Sequence, residues 1–396
     1  MQGAISSRLA SHVPTAARVG LTDSDRPHDD RDRCRTVPTT ARRSGTEPYI
    51  SRVRKLIIAV VVLLVAHLAL MAAGYGRGIA TTSRSGTTVG VVFDVGGRGD
   101  KSFNDGAYAG ADSARRALGV TVRYIEPGDG SDREAGLRLL AAEKMDLVMG
   151  VGFIFTDDLT NLAKEYPKIN FAGVDYSLAY DSTGKLIPPP PNLAALKFRE
   201  EEGSFLVGAL AALVGHSKKV GFVGGMDIPL IHKFEAGYTA GVKYVCPDCT
   251  VIAQYAGVTP DAFKNPSRGK ELALSQYQSG VNIIFHASGA TGQGVFEAAR
   301  SMHKLAIGVD SDQWDEAPGY ILTSMVKGVS AATYDVISRV KNGTFHGGVY
   351  SFGLKEGGVG YTYDARNKGM IPDSVHARVE QIKADIIAGK IKVPTS

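Results

Sequence analysis

Three aspartates close three short apolar runs: Asp94 ends VGVVFD, Asp175 ends FAGVD and Asp310 ends IGVD. Soon after the first run comes Ser102-Phe103-Asn104, and Phe263 lies in the polar segment TPDAFKNPSRG. Gly225 and Gly289 follow two further apolar runs. Carboxylates accept N–H and O–H groups through charge-assisted bonds, aromatic rings offer faces for stacking, and glycines let a ligand approach the backbone. This set suits capture of a small polar molecule. It does not suit hydrolysis, because the chain has no Gly-x-Ser-x-Gly elbow, no HExxH and no tight metal-ligand cluster. No cofactor is expected, and no enzymatic activity.

Several motifs invite other readings. Gly96, Gly97 and Gly99 lack the Gly-Lys-Ser/Thr ending that a phosphate loop needs. Gly289, Gly292 and Gly294 lack the downstream acidic partner of a dinucleotide fingerprint. Arg98-Gly99-Asp100 is an adhesion tripeptide only by its letters. Cys246-Pro-Asp-Cys249 leaves a local disulfide, two free thiols or a metal site open; an oxidising compartment favours the disulfide, and no second ligand pair at finger-like spacing supports the metal.

The elements that must position these residues alternate. From Thr88 onward, short β-branched runs are followed by helical segments, the pattern of parallel α/β layers. The spacing of Phe103, Ala107, Ala111, Ala114 and Leu118 predicts a helix over 103–118, with Ser102 and Asp105 as a capping-box-like start and Gly119 as the stop. Four prolines at 188–191 interrupt the alternation, which restarts at Lys219. Two such sets imply two lobes with a cleft between them, and in open α/β sheets ligands gather beyond the carboxyl ends of the strands. The aspartates, Phe103 and Phe263 all fall there.

Charge narrows the partners. The net charge is +5, but residues 1–55 hold 11 Lys and Arg against 6 Asp and Glu; removing these from the totals of 45 and 40 leaves 34 of each. A folded part without excess charge argues against a nucleic-acid surface. Residues 1–50 are polar and without apolar periodicity, the composition of a disordered tail. Leu56 to Ala73 is an apolar run broken only by His67 and preceded by Arg52, Arg54 and Lys55. Residues 51–76 therefore read as a signal peptide or a membrane anchor that sends the remainder outward.

Seven blocks, among them FDVGGRGDKSFNDGAY, FREEEGSFLVGALAA, HASGATGQGVFEAA and SFGLKEGGVG, resemble the basic membrane protein family of nucleoside-receptor lipoproteins of ABC importers. The likeness covers roughly residues 88–394. It implies a type I periplasmic-binding-protein fold with two Rossmann-like lobes, 86–198 plus 325–349 and 199–324 plus 350–396, crossed near Phe198, Met325 and Tyr350. It also implies a monomer that closes on a nucleoside and delivers it to a permease.

In that pattern Phe103 and Phe263 sandwich the base, and Phe234 is a weaker candidate for the cleft. Asp94, with Ser102 or Asn104, meets the base edge, and Asp175 faces the cleft. Asp310, Lys327 and Gly289 hold the ribose. Core packing is the alternative for each ring, and a structural Asp310–Lys327 ion pair across the hinge is the alternative for those two residues. One departure stands out: no acylatable cysteine follows the apolar run. A membrane-tethered sensing module without a transport role is the alternative function.

Overall fold

The computed structural model describes residues 49–76, 86–126 and 132–396. The proposed tail over 1–50 and Cys34 fall almost wholly outside them. The chain divides between Thr81 and Thr82 into two units. In the first, α1 (Tyr49–Gly76) has apolar side chains exposed all around it from Leu56 to Leu68. Over the described residues alone, no helix is long and apolar enough to cross a membrane.

The second unit carries the two lobes. The first lobe opens with β1 (Thr88–Val92), α2 (Phe103–Leu118), β2 (Thr121–Ile125), α3 (Arg133–Ala142), β3 (Leu147–Val151), α4 (Thr156–Glu165) and β4 (Asn170–Val174). A small hairpin, β5 (Ala179–Tyr180) and β6 (Leu186–Ile187), precedes the prolines, and β7 (Leu193–Phe198) leads into α5 (Glu200–Val214). The second lobe follows with β8 (Lys219–Met226), α6 (Pro229–Val245), β9 (Thr250–Gly257), α7 (Pro266–Gln278), β10 (Ile283–Ala287), α8 (Gly292–Met302), β11 (Leu305–Asp310) and β12 (Ile321–Lys327). The chain then returns through α9 (Val329–Lys341) and β13 (Gly348–Phe352), and ends with β14 (Val359–Tyr361) and α10 (Asp373–Ile387).

The strands form two six-stranded sheets, ordered β2-β1-β3-β4-β7-β13 and β9-β8-β10-β11-β12-β14. Within these two sheets all pairings are parallel except β12 with β14; the separate β5–β6 hairpin is antiparallel. The strands at the centre of each sheet are buried on both faces, as parallel strands covered by helices must be. This is a two-lobed α/β fold of the type I periplasmic-binding class, as the resemblance implies. Within the second lobe, α5 and α6 pack at backbone contact: a Cβ added at Gly208 would fall 2.2 Å from the Tyr238 carbonyl oxygen, and one at Gly241 2.0 Å from that of Phe205.

The backbone crosses between sheets after Phe198, after Lys327 and after Phe352. The last two points lie two residues beyond the crossings expected from sequence, because β12 and β13 extend that far.

The start of α2 differs from expectation. Ser102 makes no capping bond. Asp100 does the work instead: it accepts the amides of Ser102 at 3.0 Å, Asn104 at 2.8 Å and Asp105 at 3.1 Å. Asp105 turns back to accept Gly99 and Lys101. Gly119, at φ 66°, stops the helix as its left-handed conformation requires. Cys246 and Cys249 are joined in a disulfide just beyond the end of α6.

Candidate functional site

At the carboxyl ends of both sheets, one cavity is lined by Asp94, Asp100, Phe103, Asn104, Gly152, Phe153, Asp175, Leu230, Ile231, Phe234, Phe263, Ser288, Gly289, Asp310 and Lys327, with Val95, Ala287 and Val309. Strand geometry explains the gathering. Asp94 follows β1, Gly152 follows β3 and Asp175 follows β4; across the cleft Phe263 follows β9, Gly289 follows β10, and Asp310 and Lys327 end β11 and β12. Asp175, just after β4, and Asp310, the last residue of β11, share an uncommon backbone, φ 58° and 65°. Aspartate enters this left-handed region more readily than bulkier residues, and strain of this kind tends to collect where ligands are held.

On the first lobe, Asn104 Oδ1 accepts the Asp94 amide at 3.0 Å and its Nδ2 donates to Asp100 Oδ2 at 3.2 Å. The side-chain amide is thus oriented, with one N–H left over. Asp94 Oδ1 takes the Val95 amide at 2.6 Å, and its Oδ2 lies over Gly152, where a Cβ would fall 2.1 Å away. Burial pushes the Asp94 carboxyl up to about 7; Asp175 and Asp100 add to this, against the Val95 amide and Arg133.

On the second lobe, Phe263 lies on Gly225, where an added Cβ would meet the ring at 2.3 Å. Burial raises Asp310 to about 6, held back by Lys327 and by the Ser102 hydroxyl. Behind it, Gln313 Oε1 accepts the Val309 amide at 2.8 Å and His286 Nε2 at 3.1 Å. Burial lowers His286 to about 4, so the ring is neutral at pH 7.

Lys327 sits where the lobes meet. Its Nζ lies 2.5 Å from Asp175 Oδ2 and 3.6 Å from Glu200 Oε1, ringed by Phe103, Phe198 and Phe234 at 4.9, 5.1 and 5.5 Å from their centroids. Burial opposes its charge, but Asp175, Glu200 and Asp310 outweigh that cost and hold its pKa above the ordinary lysine value. The lobes are also joined by Ser102 Oγ donating to Asp310 Oδ2 at 2.5 Å, Ser311 Oγ donating to the Ser102 carbonyl at 3.2 Å, and Gln313 Nε2 donating to the Lys101 carbonyl at 3.0 Å. The cleft is closed.

The structure therefore brings Asp94, Phe103, Asn104, Asp175, Phe263, Gly289, Asp310 and Lys327 to one cavity, together with Phe234. Ser102 is fully buried and absent from the lining; its hydroxyl is spent on Asp310. The alternative Asp310–Lys327 ion pair does not form; Lys327 pairs with Asp175 instead. Asp100, Gly152, Phe153, Leu230 and Ile231 were not anticipated. Gly152 and Phe153 were findable, since they follow a strand just as Asp94 does. Asp100 was hidden by its adhesion-like tripeptide.

Residues 87–396 match the Bmp family, described as ABC transporter substrate-binding protein PnrA-like. The chain belongs to this family. Among relatives of this Bmp protein, the CD4+ T-cell-stimulating antigen of Listeria monocytogenes is 36% identical over 329 residues, covering 78% of this chain and 88% of its own. The ABC transporter nucleoside-binding protein BmpA of Lactococcus lactis is 30% identical, covering 86% and 99%. Among solved structures, an ABC transporter solute-binding protein of Aeropyrum pernix superposes with a TM-score of 0.70 at 32% identity, covering 78% of this chain and 94% of its own. This Bmp protein is thus a substrate-binding protein of an ABC transporter, working outside the cytoplasm with a small-molecule ligand and a permease as partners. The family's role is binding, not catalysis.

Proposed function

We propose that the cavity holds a nucleoside, most readily a purine nucleoside, and that closure of the lobes over it is the capture step of import. One observation carries the reading: Phe103 of the first lobe and Phe263 of the second line the same cavity, together with Asp94, Asn104, Asp175, Asp310 and Lys327. The rings supply faces for a base. The free N–H of Asn104 and Oδ2 of Asp94 supply a donor and an acceptor for its edge. Asp310 and Lys327 supply an acceptor and a donor for vicinal hydroxyls, with Gly289 allowing close approach. Ser102 acts from behind, fixing Asp310. That a relative is named for nucleoside binding supports the same reading.

A ligand that bridges the two lobes adds contacts only in the closed form and so shifts the population toward it. Isothermal titration of the purified chain against adenosine, guanosine, inosine, pyrimidine nucleosides and free sugars tests this. Saturable binding of a purine nucleoside without turnover is the expected result; a sugar bound in preference, or no nucleoside bound at all, overturns it. Residues 51–76 serve in this reading to export or tether the binding unit, which the amino-terminal sequence and membrane partition of the exported chain would check.

A further inference from the structure

Four charged side chains meet at the waist of the molecule, and their allegiance to the two lobes is unequal. Lys327 ends β12, Glu200 begins α5 and Lys233 belongs to α6, all on the second lobe. Asp175 follows β4, on the first. The bond from Lys327 to Asp175 Oδ2 crosses the cleft, whereas the one to Glu200 Oε1, longer at 3.6 Å, stays within a lobe. Glu200 is fully buried, its Oε2 accepts Lys233, and its Oε1 has no hydrogen-bond partner. Asp175 Oδ1 is likewise buried without a partner, and Lys197, on β7 of the first lobe, acts on the Asp175 carboxylate as a nearby positive charge.

A buried ammonium left without a counter-charge costs several kcal/mol, so where Lys327 stays buried among Phe103, Phe198 and Phe234, parting it from Asp175 requires another carboxylate. We infer that Glu200 is the positioning residue that receives Lys327 when the lobes part, with Lys197 left beside Asp175, so that the cleft opens by exchange of ion-pair partners. In the closed form Lys327 leans to Asp175 and keeps only the longer, 3.6 Å contact with Glu200 Oε1, which accepts no hydrogen bond. On opening it shortens the Glu200 contact. The lysine stays charged and oriented in both forms, ready to meet a ligand.

The two carboxylates then push the equilibrium in opposite directions. Glu200→Gln removes the counter-charge available in the open form while leaving Asp175 in the closed one, so the unliganded protein closes. Asp175→Asn removes the cross-cleft partner and opens it. Reporter thiols at exposed Asp157 and Val258, one on each lobe, on a Cys34→Ser background with the Cys246–Cys249 disulfide intact, carry spin labels for distance measurement in the full chain without ligand. Glu200→Gln is expected to raise the closed-to-open ratio about fivefold and Asp175→Asn to lower it by a similar factor. Movement in the same direction, or no movement with either variant, overturns the exchange. Should Glu200→Gln fail to fold, the shorter Glu200→Asp must shift the ratio in the same sense. The readout needs no ligand, so it stands apart from the identity of the substrate.

Discussion

Ser102 of the first lobe donates its hydroxyl to Asp310 of the second at 2.5 Å, and both groups are buried. The bond exists only when the lobes meet, and it commits one oxygen of Asp310 in the closed form. Removing the donor leaves a buried carboxylate short of a partner, a loss of about 1–3 kcal/mol. Ser102→Ala is expected to speed ligand release about tenfold with a smaller change in the association rate, read by stopped-flow displacement. An unchanged release rate would separate Ser102 from closure.

The two rings predict a second outcome. Truncating Phe103 or Phe263 to alanine should each cost about 1–3 kcal/mol of nucleoside affinity, the range of a lost base–aromatic stack. Phe103 additionally faces the Lys327 ammonium, so its loss should also weaken binding of free ribose, whereas Phe263→Ala should not. Titration calorimetry with both ligands distinguishes the two.

Gly225 makes the third. The Phe263 ring lies where a Gly225 side chain would be, so Gly225→Ala must push the ring toward the cavity. Overpacking costs about 1–3 kcal/mol, and because the ring borders the cleft, affinity should fall more than melting temperature. Differential scanning calorimetry beside titration makes the comparison.

pH supplies the fourth. Asp94 is raised to about 7 and Asp310 to about 6, from an ordinary 3.8. The folded protein holds these protons more tightly than the unfolded chain, so their stabilising contribution is complete below pH 3.8 and drains as pH climbs through 6 and 7. His286, lowered from 6.5 to about 4, runs the other way: its contribution is complete above pH 6.5 and is lost toward pH 4. Asp94→Asn removes a carboxylate that is costly when ionised. The unliganded variant should melt above the parent at pH 8, and the advantage should fade by pH 5, at about 1.4 kcal/mol for each tenfold displacement of proton affinity.

The Cys246–Cys249 disulfide lies at the far end of α6 from the cavity. Leu230, Ile231 and Phe234 reach the cleft from the first turns of a 17-residue helix, about 16 to 22 Å from its other end. Reduction should lower the melting temperature slightly and leave ligand affinity unchanged, as titration with and without reductant would show.

Much of the architecture was legible because its signals are local. The apolar run VGVVFD placed the first strand, the spacing from Phe103 to Leu118 placed the helix after it, and Gly119 marked a helix end that needs a positive φ. The strand-end rule gathered Asp94, Asp175 and Asp310, since every parallel strand presents its carboxyl end to the same edge. What failed was partner choice. Ser102 stood where a cap belongs, yet Asp100 lay closer to the free amides and released Ser102 for Asp310, 208 residues away.

By itself, then, the sequence determined the α/β alternation, the apolar segment near the amino terminus, the even charge of the folded part and the set of side chains at the strand ends, all consequences of periodicity and composition. Tertiary structure alone decided that Lys327 pairs with Asp175 rather than Asp310, that Asp100, Leu230 and Ile231 join the cavity lining, and that Glu200 sits buried behind Lys327. Those outcomes depend on how two separately built lobes meet, and a contact between residues 152 positions apart leaves no trace in local spacing.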